Sequence, residues 1–189
     1  MRRLVLVVAV TAACAACSVL PRHTVASTPA AVDGPTQAPS LTTGIPGPPA
    51  DAIRARVTRD VDGDTVVLDT ISDGKIDHET YGRYARLIGI NTPEIFGRVE
   101  CFGRIAADFT RRTLAGRTVL VDFDIDRTDR YDRALVYIWL TDGTFFNAEL
   151  ASQGYADQET VPPNVRYVEL LGRLVAQARS AKLGLWRSC

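Results

Sequence analysis

Arg86-Leu87-Ile88-Gly89-Ile90-Asn91-Thr92-Pro93-Glu94 is an apolar run that ends abruptly in polar residues and a proline. A short run of Leu and Ile suits a buried strand. Pro93 has no N–H to give to a neighbouring strand, so pairing should stop there. The charged ends, Arg86 and Glu94, then border one face of a small sheet, with the oxygens of Asn91 and Thr92 between them. A cation, an oxygen-rich corner and a carboxylate held on a rigid strand end make a place to handle a phosphate.

Working outward, Ile53, Ala55 and Val57 alternate with Arg54, Arg56 and Thr58, the pattern of a half-buried strand over 53–59. Val61-Asp62-Gly63-Asp64 predicts a turn and Thr65 to Leu68 the next strand. Asp73-Gly74 marks another turn, and Tyr81 to Ile90 returns as the third strand. The period then changes: Phe102, Ile105, Ala106, Phe109 and Thr113 fall on one face of a helix over 100–114, closed by Ala115-Gly116. Strands are predicted over 118–124 and 134–140, separated by the charged segment from Asp124 to Arg133. A short helix over 146–153 ends at Gly154. Pro162-Pro163-Asn164 sets up a last helix, with Asn164 as N-cap and Val168, Leu171, Val175 and Ala178 at helical spacing. Five strands with a helix between the third and fourth predict an α+β fold, mainly a five-stranded OB-fold barrel with about three helices.

The composition, 46% apolar and 23% charged in 189 residues, supports one core of ordinary size plus extensions. The whole chain has no net charge, and residues 51–189 hold 19 basic against 21 acidic residues. Bulk charge therefore gives no support for nucleic-acid binding, which usually shows a basic footprint. Any such contact has to come from local placement.

Met1-Arg2-Arg3 followed by Leu4 to Val10 and then small residues predicts a secretory signal, too short to span a membrane. Val10-Thr11-Ala12-Ala13-Cys14-Ala15-Ala16-Cys17 resembles a bacterial lipoprotein processing box, with Cys14 a better candidate for lipidation than Cys17. Ordinary cleavage after an alanine is the alternative. The chain is thus expected to be exported, as a membrane-anchored lipoprotein or a secreted protein. Residues 1–17 are assigned to the signal, 18–50 to a disordered tether rich in Pro, Ala and Thr, and 51–189 to the folded domain.

Two further segments carry candidate chemistry. Asp62-Gly63-Asp64-Thr65 places two carboxylates on a glycine turn, suited to a hard cation, although Asp-Gly alone is equally a hairpin turn. Arg127-Thr128-Asp129-Arg130-Tyr131-Asp132-Arg133 taken alone is a solvated charged loop. Together with Val61, the stretch from Arg86 to Glu94, Cys101-Phe102-Gly103, Phe146-Asn147-Ala148-Glu149-Leu150 and Leu185-Trp186, in this order and at these spacings, they resemble the staphylococcal nuclease (thermonuclease) family from about Ile53 to Trp186.

That resemblance implies a calcium-dependent phosphodiesterase on an OB-fold that cuts DNA and RNA and leaves 3′-phosphates. It implies that Asp64 ligates calcium, that Asn91 gives a side-chain oxygen and that Thr92 gives its carbonyl. Glu94 would act on the attacking water, as general base or as its positioner, and Arg86 and Arg133 would clamp the phosphate. Two departures stand out. Asn91 occupies a position where the family often has aspartate, which should weaken metal binding. Asp132 stands where the family's Tyr-Gly-Arg has glycine; aspartate tolerates a left-handed backbone, but its charge could compete for Arg133.

Of the other groups, Cys101 and Cys189 are expected to form a disulfide in an exported protein. Tyr131 is the best placed of the tyrosines to stack on a base, ahead of Tyr81 and Tyr84. His23 and His78 have no partners at ligand spacing. A monomer is expected. The rival readings are a catalytically weak or inactive nucleic-acid-binding surface lipoprotein on the same fold, and a structural lipoprotein that binds protein or glycan.

Overall fold

The computed structural model describes residues 44–70 and 84–189. The predicted turn at Asp73-Gly74 lies outside them, as do Cys14, Cys17, His23, His78 and Tyr81. Strand β1 (Ile53–Asp60) buries Ala55 and Val57 and exposes Arg54 and Arg56, following its alternation. It pairs antiparallel with β2 (Thr65–Thr70) and with β5 (Thr118–Thr128). β2 pairs antiparallel with β3 (Tyr84–Leu87), β3 runs parallel to β6 (Ala134–Leu140), and β6 pairs antiparallel with β5. The ring β1-β2-β3-β6-β5 is closed, so no edge of it is left open for pairing. This is the five-stranded barrel expected of an α+β OB-fold.

Val57, Val66, Leu87, Val119, Val121, Val136 and Ile138 are buried in the core. β6 is apolar on both faces because α2 (Phe146–Ser152) covers its outer side. α3 (Val168–Ser180) packs on α2 in turn. Beneath them Trp139 stacks on Phe145 with ring centroids 4.4 Å apart, and Tyr167 meets Tyr137 edge-on at 4.6 Å. Helix α1 (Gly103–Leu114) packs beside β1, and the one-turn α4 (Leu185–Ser188) ends the chain.

Several expectations are corrected. The third strand is not continuous to Ile90: β3 stops at Leu87, the chain turns at Ile88-Gly89, and Ile90–Asn91 forms a separate strand, β4. β4 pairs with β7 (Asp157–Gln158), a strand that the sequence did not announce. Gly89 has φ 83°, a conformation that favours glycine, and a Cβ there would stand 2.4 Å from Leu171 Cδ1, which would have to shift. α1 turns Ala106, Ala107, Thr110 and Leu114 inward and leaves Ile105 half exposed. Asn164 is not an N-cap: its side chain bonds the Asp126 backbone in both directions, at 2.8 and 2.9 Å. The folded unit also reaches back beyond residue 51. Ile45 packs on the core and Pro46 O accepts the Trp139 indole N–H at 3.0 Å.

Candidate active site

The hairpin tip between β1 and β2 is the first component. Asp62 Oδ1 accepts the Asp64 N–H at 3.0 Å, a side-chain-closed turn. A Cβ on Gly63 would lie 2.6 Å from Thr92 Oγ1, and Thr110 Oγ1 of α1 donates to Gly63 O at 2.6 Å. The turn is therefore pressed between α1 and the segment after β4. Asp64 is buried, and its Oδ2 accepts from Thr92 N at 2.7 Å and Thr92 Oγ1 at 2.9 Å. Burial pushes the Asp62 carboxyl above the ordinary carboxylate range, offset in part by Thr65 and by the Arg86 and Arg133 charges.

Arg86, on the outer face of β3, reaches into this corner. Its Nη1 pairs with Asp64 Oδ1, and its Nη2 donates to Asn91 Oδ1 at 2.8 Å and to Glu159 Oε2 at 3.0 Å. The turn at Ile88-Gly89 makes this possible by swinging Asn91 back toward Arg86. Buried Asn147 fixes that turn, donating to Ile88 O at 3.0 Å while accepting the Ile138 N–H at 3.0 Å. Burial lowers the Arg86 pKa, and Glu159 opposes that shift by hydrogen bond and charge.

The parallel pairing of β3 with β6 brings in the second cation. Arg86 is registered against Leu135, and Arg133 lies two residues before Leu135, hence on the same face. Arg86, Arg133, Tyr131 and Glu159 line one groove of about 510 Å³. Tyr131 is 64% exposed there, with the Arg133 guanidinium carbon 5.6 Å from its ring centroid. Asp129 organises the loop: Oδ1 accepts from Tyr131 N (2.9 Å) and Arg133 N (3.0 Å), and Oδ2 from Arg133 Nε (2.8 Å). Burial alone would raise the Asp129 pKa, but these N–H groups and the guanidinium outweigh it and hold it below the ordinary value of 3.8. Asp132 has φ 57°, the left-handed conformation expected of a residue replacing glycine. The carboxylate that engages Arg133 is Asp129, not Asp132.

Glu94 stands apart from the groove lining, two residues beyond the anchored Thr92. It is exposed, and its carboxylate bonds no other described residue. Its backbone is held firmly: Glu94 N donates to Glu100 Oε2 at 3.0 Å, and Glu100 N donates to Glu94 O at 2.9 Å. A Cβ on Gly103 would lie 2.6 Å from Glu94 O. Cys101, next to Glu100, is bridged to Cys189, with Cα atoms 5.9 Å apart.

Asp64 and Asn91 present their side-chain oxygens to the same guanidinium, so these two donors converge. Both are hard oxygens of the kind a calcium-like ion takes, while Thr92 meets Asp64 through its N–H and Oγ1. Among the described residues no three His, Cys, Asp or Glu side chains gather around one point. The set is therefore poor in charge, and an ion there would compete with Arg86 for Asp64.

Sequence reasoning missed Glu159 and the part played by Asp129. Asp129 lies within the quoted motif, four residues before Arg133, and that spacing was its only signal. Glu159 follows a two-residue strand with no periodicity, and nothing local marks it.

The family model described as "Staphylococcal nuclease homologue" matches residues 84–188. The chain is 35% identical over 133 residues to the Thermonuclease of Staphylococcus intermedius, covering 69% of this chain and 74% of that protein. It is 36% identical over 134 residues to the Thermonuclease of Staphylococcus hyicus, with the same coverages of 69% and 74%. An SPbeta prophage-derived endonuclease of Bacillus subtilis is 28% identical over 141 residues, 72% of this chain and 45% of that protein. The closed barrel, the paired arginines of one groove and these matches agree: the chain belongs to the staphylococcal nuclease family.

Proposed function

We propose that this nuclease hydrolyses phosphodiester bonds of DNA and RNA with calcium as cofactor, leaving 3′-phosphate ends. One observation carries the reading. Arg86 and Arg133, from separate segments, line one groove, Arg86 also bonds the side-chain oxygens of Asp64 and Asn91, and Glu94, whose carboxylate bonds no other described residue, follows on the same segment. Calcium, bound through Asp64, Asn91 and the Thr92 carbonyl, would supply a divalent positive charge to the phosphate.

In this reading the two guanidiniums bind the phosphate oxygens, where the planar fork of arginine suits two oxygens at once. Glu94 takes a proton from a water molecule as its oxygen attacks phosphorus. The P–O5′ bond breaks, the 5′-oxygen takes a proton from solvent, and the phosphate stays on the 3′ side. Charge accumulating on the equatorial oxygens meets the two arginines where it develops, which is usually the largest catalytic contribution. Tyr131, exposed in the groove, offers a face for the adjacent base.

The test is cleavage of denatured DNA by purified protein in calcium, in magnesium and without metal. Cleavage with calcium that stops on chelation is expected. Binding without cleavage under any of the three conditions would instead favour a silent nucleic-acid-binding module.

The proposed setting is extracytoplasmic, by lipid attachment at Cys14. The basic-then-apolar residues 1–17 and the Cys101–Cys189 bridge support export. Labelling with a fatty-acid analogue should mark the protein and be lost on Cys14→Ala; retained label in that variant would refute attachment there.

A further inference from the structure

We propose that Glu159 is an internal competitor for the substrate phosphate, occupying the Nη2 prong of Arg86 until a polynucleotide displaces it. The inference rests on the reading of Arg86 as a phosphate-binding group.

Among the described residues Arg86 has three side-chain partners, and they differ in kind. Asp64 and Asn91 are near neighbours in the same corner, and Asp64 is fixed by Thr92 as well. Glu159 comes from 73 residues along the chain and lines the same groove. Its side chain is about half exposed, at 48%, and Arg86 is the one hydrogen-bonded partner of its carboxylate among the described residues. Its main chain is anchored, with Glu159 N donating to Gly89 O at 3.3 Å. A tethered backbone with a two-carbon side-chain stem beside open solvent can release the carboxylate without disturbing β4 or β7.

The oxygen it places 3.0 Å from Nη2 has the charge and donor distance of a bound phosphate oxygen. A phosphate brought to that prong would face the carboxylate across one donor, and like charges sharing it repel, so one must leave. Asp129 makes the contrast. It pairs with Arg133 but is also held by two backbone N–H groups. Asp129 is therefore a fixed partner that orients its arginine, whereas Glu159 is a replaceable one. In this arrangement the free groove is charge-balanced at Arg86, small anions meet an occupied guanidinium, and a substrate gripping Arg133 and Tyr131 as well can win the exchange. Glu159 then sets substrate affinity and leaves the chemical step to other groups.

The test compares wild-type, Glu159→Gln and Asp157→Asn as full chains. Asp157→Asn removes the same charge two residues away, from a carboxylate that pairs with Arg179 at 3.3 Å instead of Arg86. Two readouts are taken: the Kd for a short single-stranded phosphorothioate oligonucleotide, and KM and kcat on denatured DNA. Glu159→Gln should lower Kd and KM by about tenfold, the scale of one charge-assisted hydrogen bond, with kcat little changed. Asp157→Asn should change Kd much less, and adding Glu159→Gln to Arg86→Lys should give a much smaller gain than in wild type. Weaker or unchanged binding by folded Glu159→Gln, or an equal gain from Asp157→Asn, would overturn the competitor. Because the oligonucleotide arm needs no turnover, it decides the matter even if no metal supports cleavage.

Discussion

Asp64 and Asp129 both press a carboxylate against an arginine, and in each case backbone N–H groups decide which oxygen faces the cation. Asp129 is the more exposed of the two, yet its three N–H partners hold its pKa low. A depressed carboxylate pKa means stability that is fully present above the unfolded value near 3.8 and is lost as pH falls through the folded value. Asp129→Ala should therefore cost about 1–3 kcal/mol at neutral pH, and the deficit should shrink as pH falls below about 4. Urea unfolding at several pH values measures it; a deficit independent of pH would contradict the assignment. At this scale the oxygen corner was legible, because Arg86, Asn91 and Thr92 lie within one short stretch and Asp64 sits on a recognisable turn. Glu159 was not, because its approach to Arg86 depends on β4 pairing with β7, a register that two-residue strands cannot advertise.

Among the elements, β1 and β6 follow from alternation and from a long apolar run, and their observed limits fall close to the predicted ones. β3 and β4 were merged because leucine and isoleucine continue through the break, and only the positive φ of Gly89 and its contact with Leu171 divide them. β5 runs on to Thr128, past the predicted end at Asp124, because it bulges away from β6 after Phe123 and carries charged residues outward. The Glu94–Glu100 backbone clamp sits at the entry to α1, adjoining the Cys101–Cys189 bridge. That bridge joins residues 88 apart in sequence, worth about 4–5 kcal/mol if it acts chiefly on unfolded-chain entropy. Replacing both cysteines with serine should lower unfolding free energy by roughly that amount and lower kcat more than it raises KM, because Glu94 loses its brace. Denaturant unfolding with parallel kinetics checks this, and full stability in the serine pair would contradict it.

In the whole molecule, closure of the barrel is what turns separate motifs into one site. The parallel β3–β6 pairing puts Arg86 beside Arg133, although 47 positions separate them in the chain, and neither motif alone implies that meeting. The barrel order was legible from the succession of strands and helix, but the fit of the chain before residue 51 was not. Ile45 and Pro46 lie in a proline-rich run that resembles a tether, and only the buried indole of Trp139 gives Pro46 its place. The central claim is that this assembly hydrolyses phosphodiesters, with Glu94 acting on the water that attacks a phosphate held by two arginines. Its most direct test is kcat on denatured DNA in calcium for Glu94→Gln against wild type, with the two proteins matched in thermal unfolding. A loss of at least about tenfold is expected, extending toward 10²–10⁴-fold if Glu94 is the sole base; a kcat for Glu94→Gln equal to that of wild type would rule out this role.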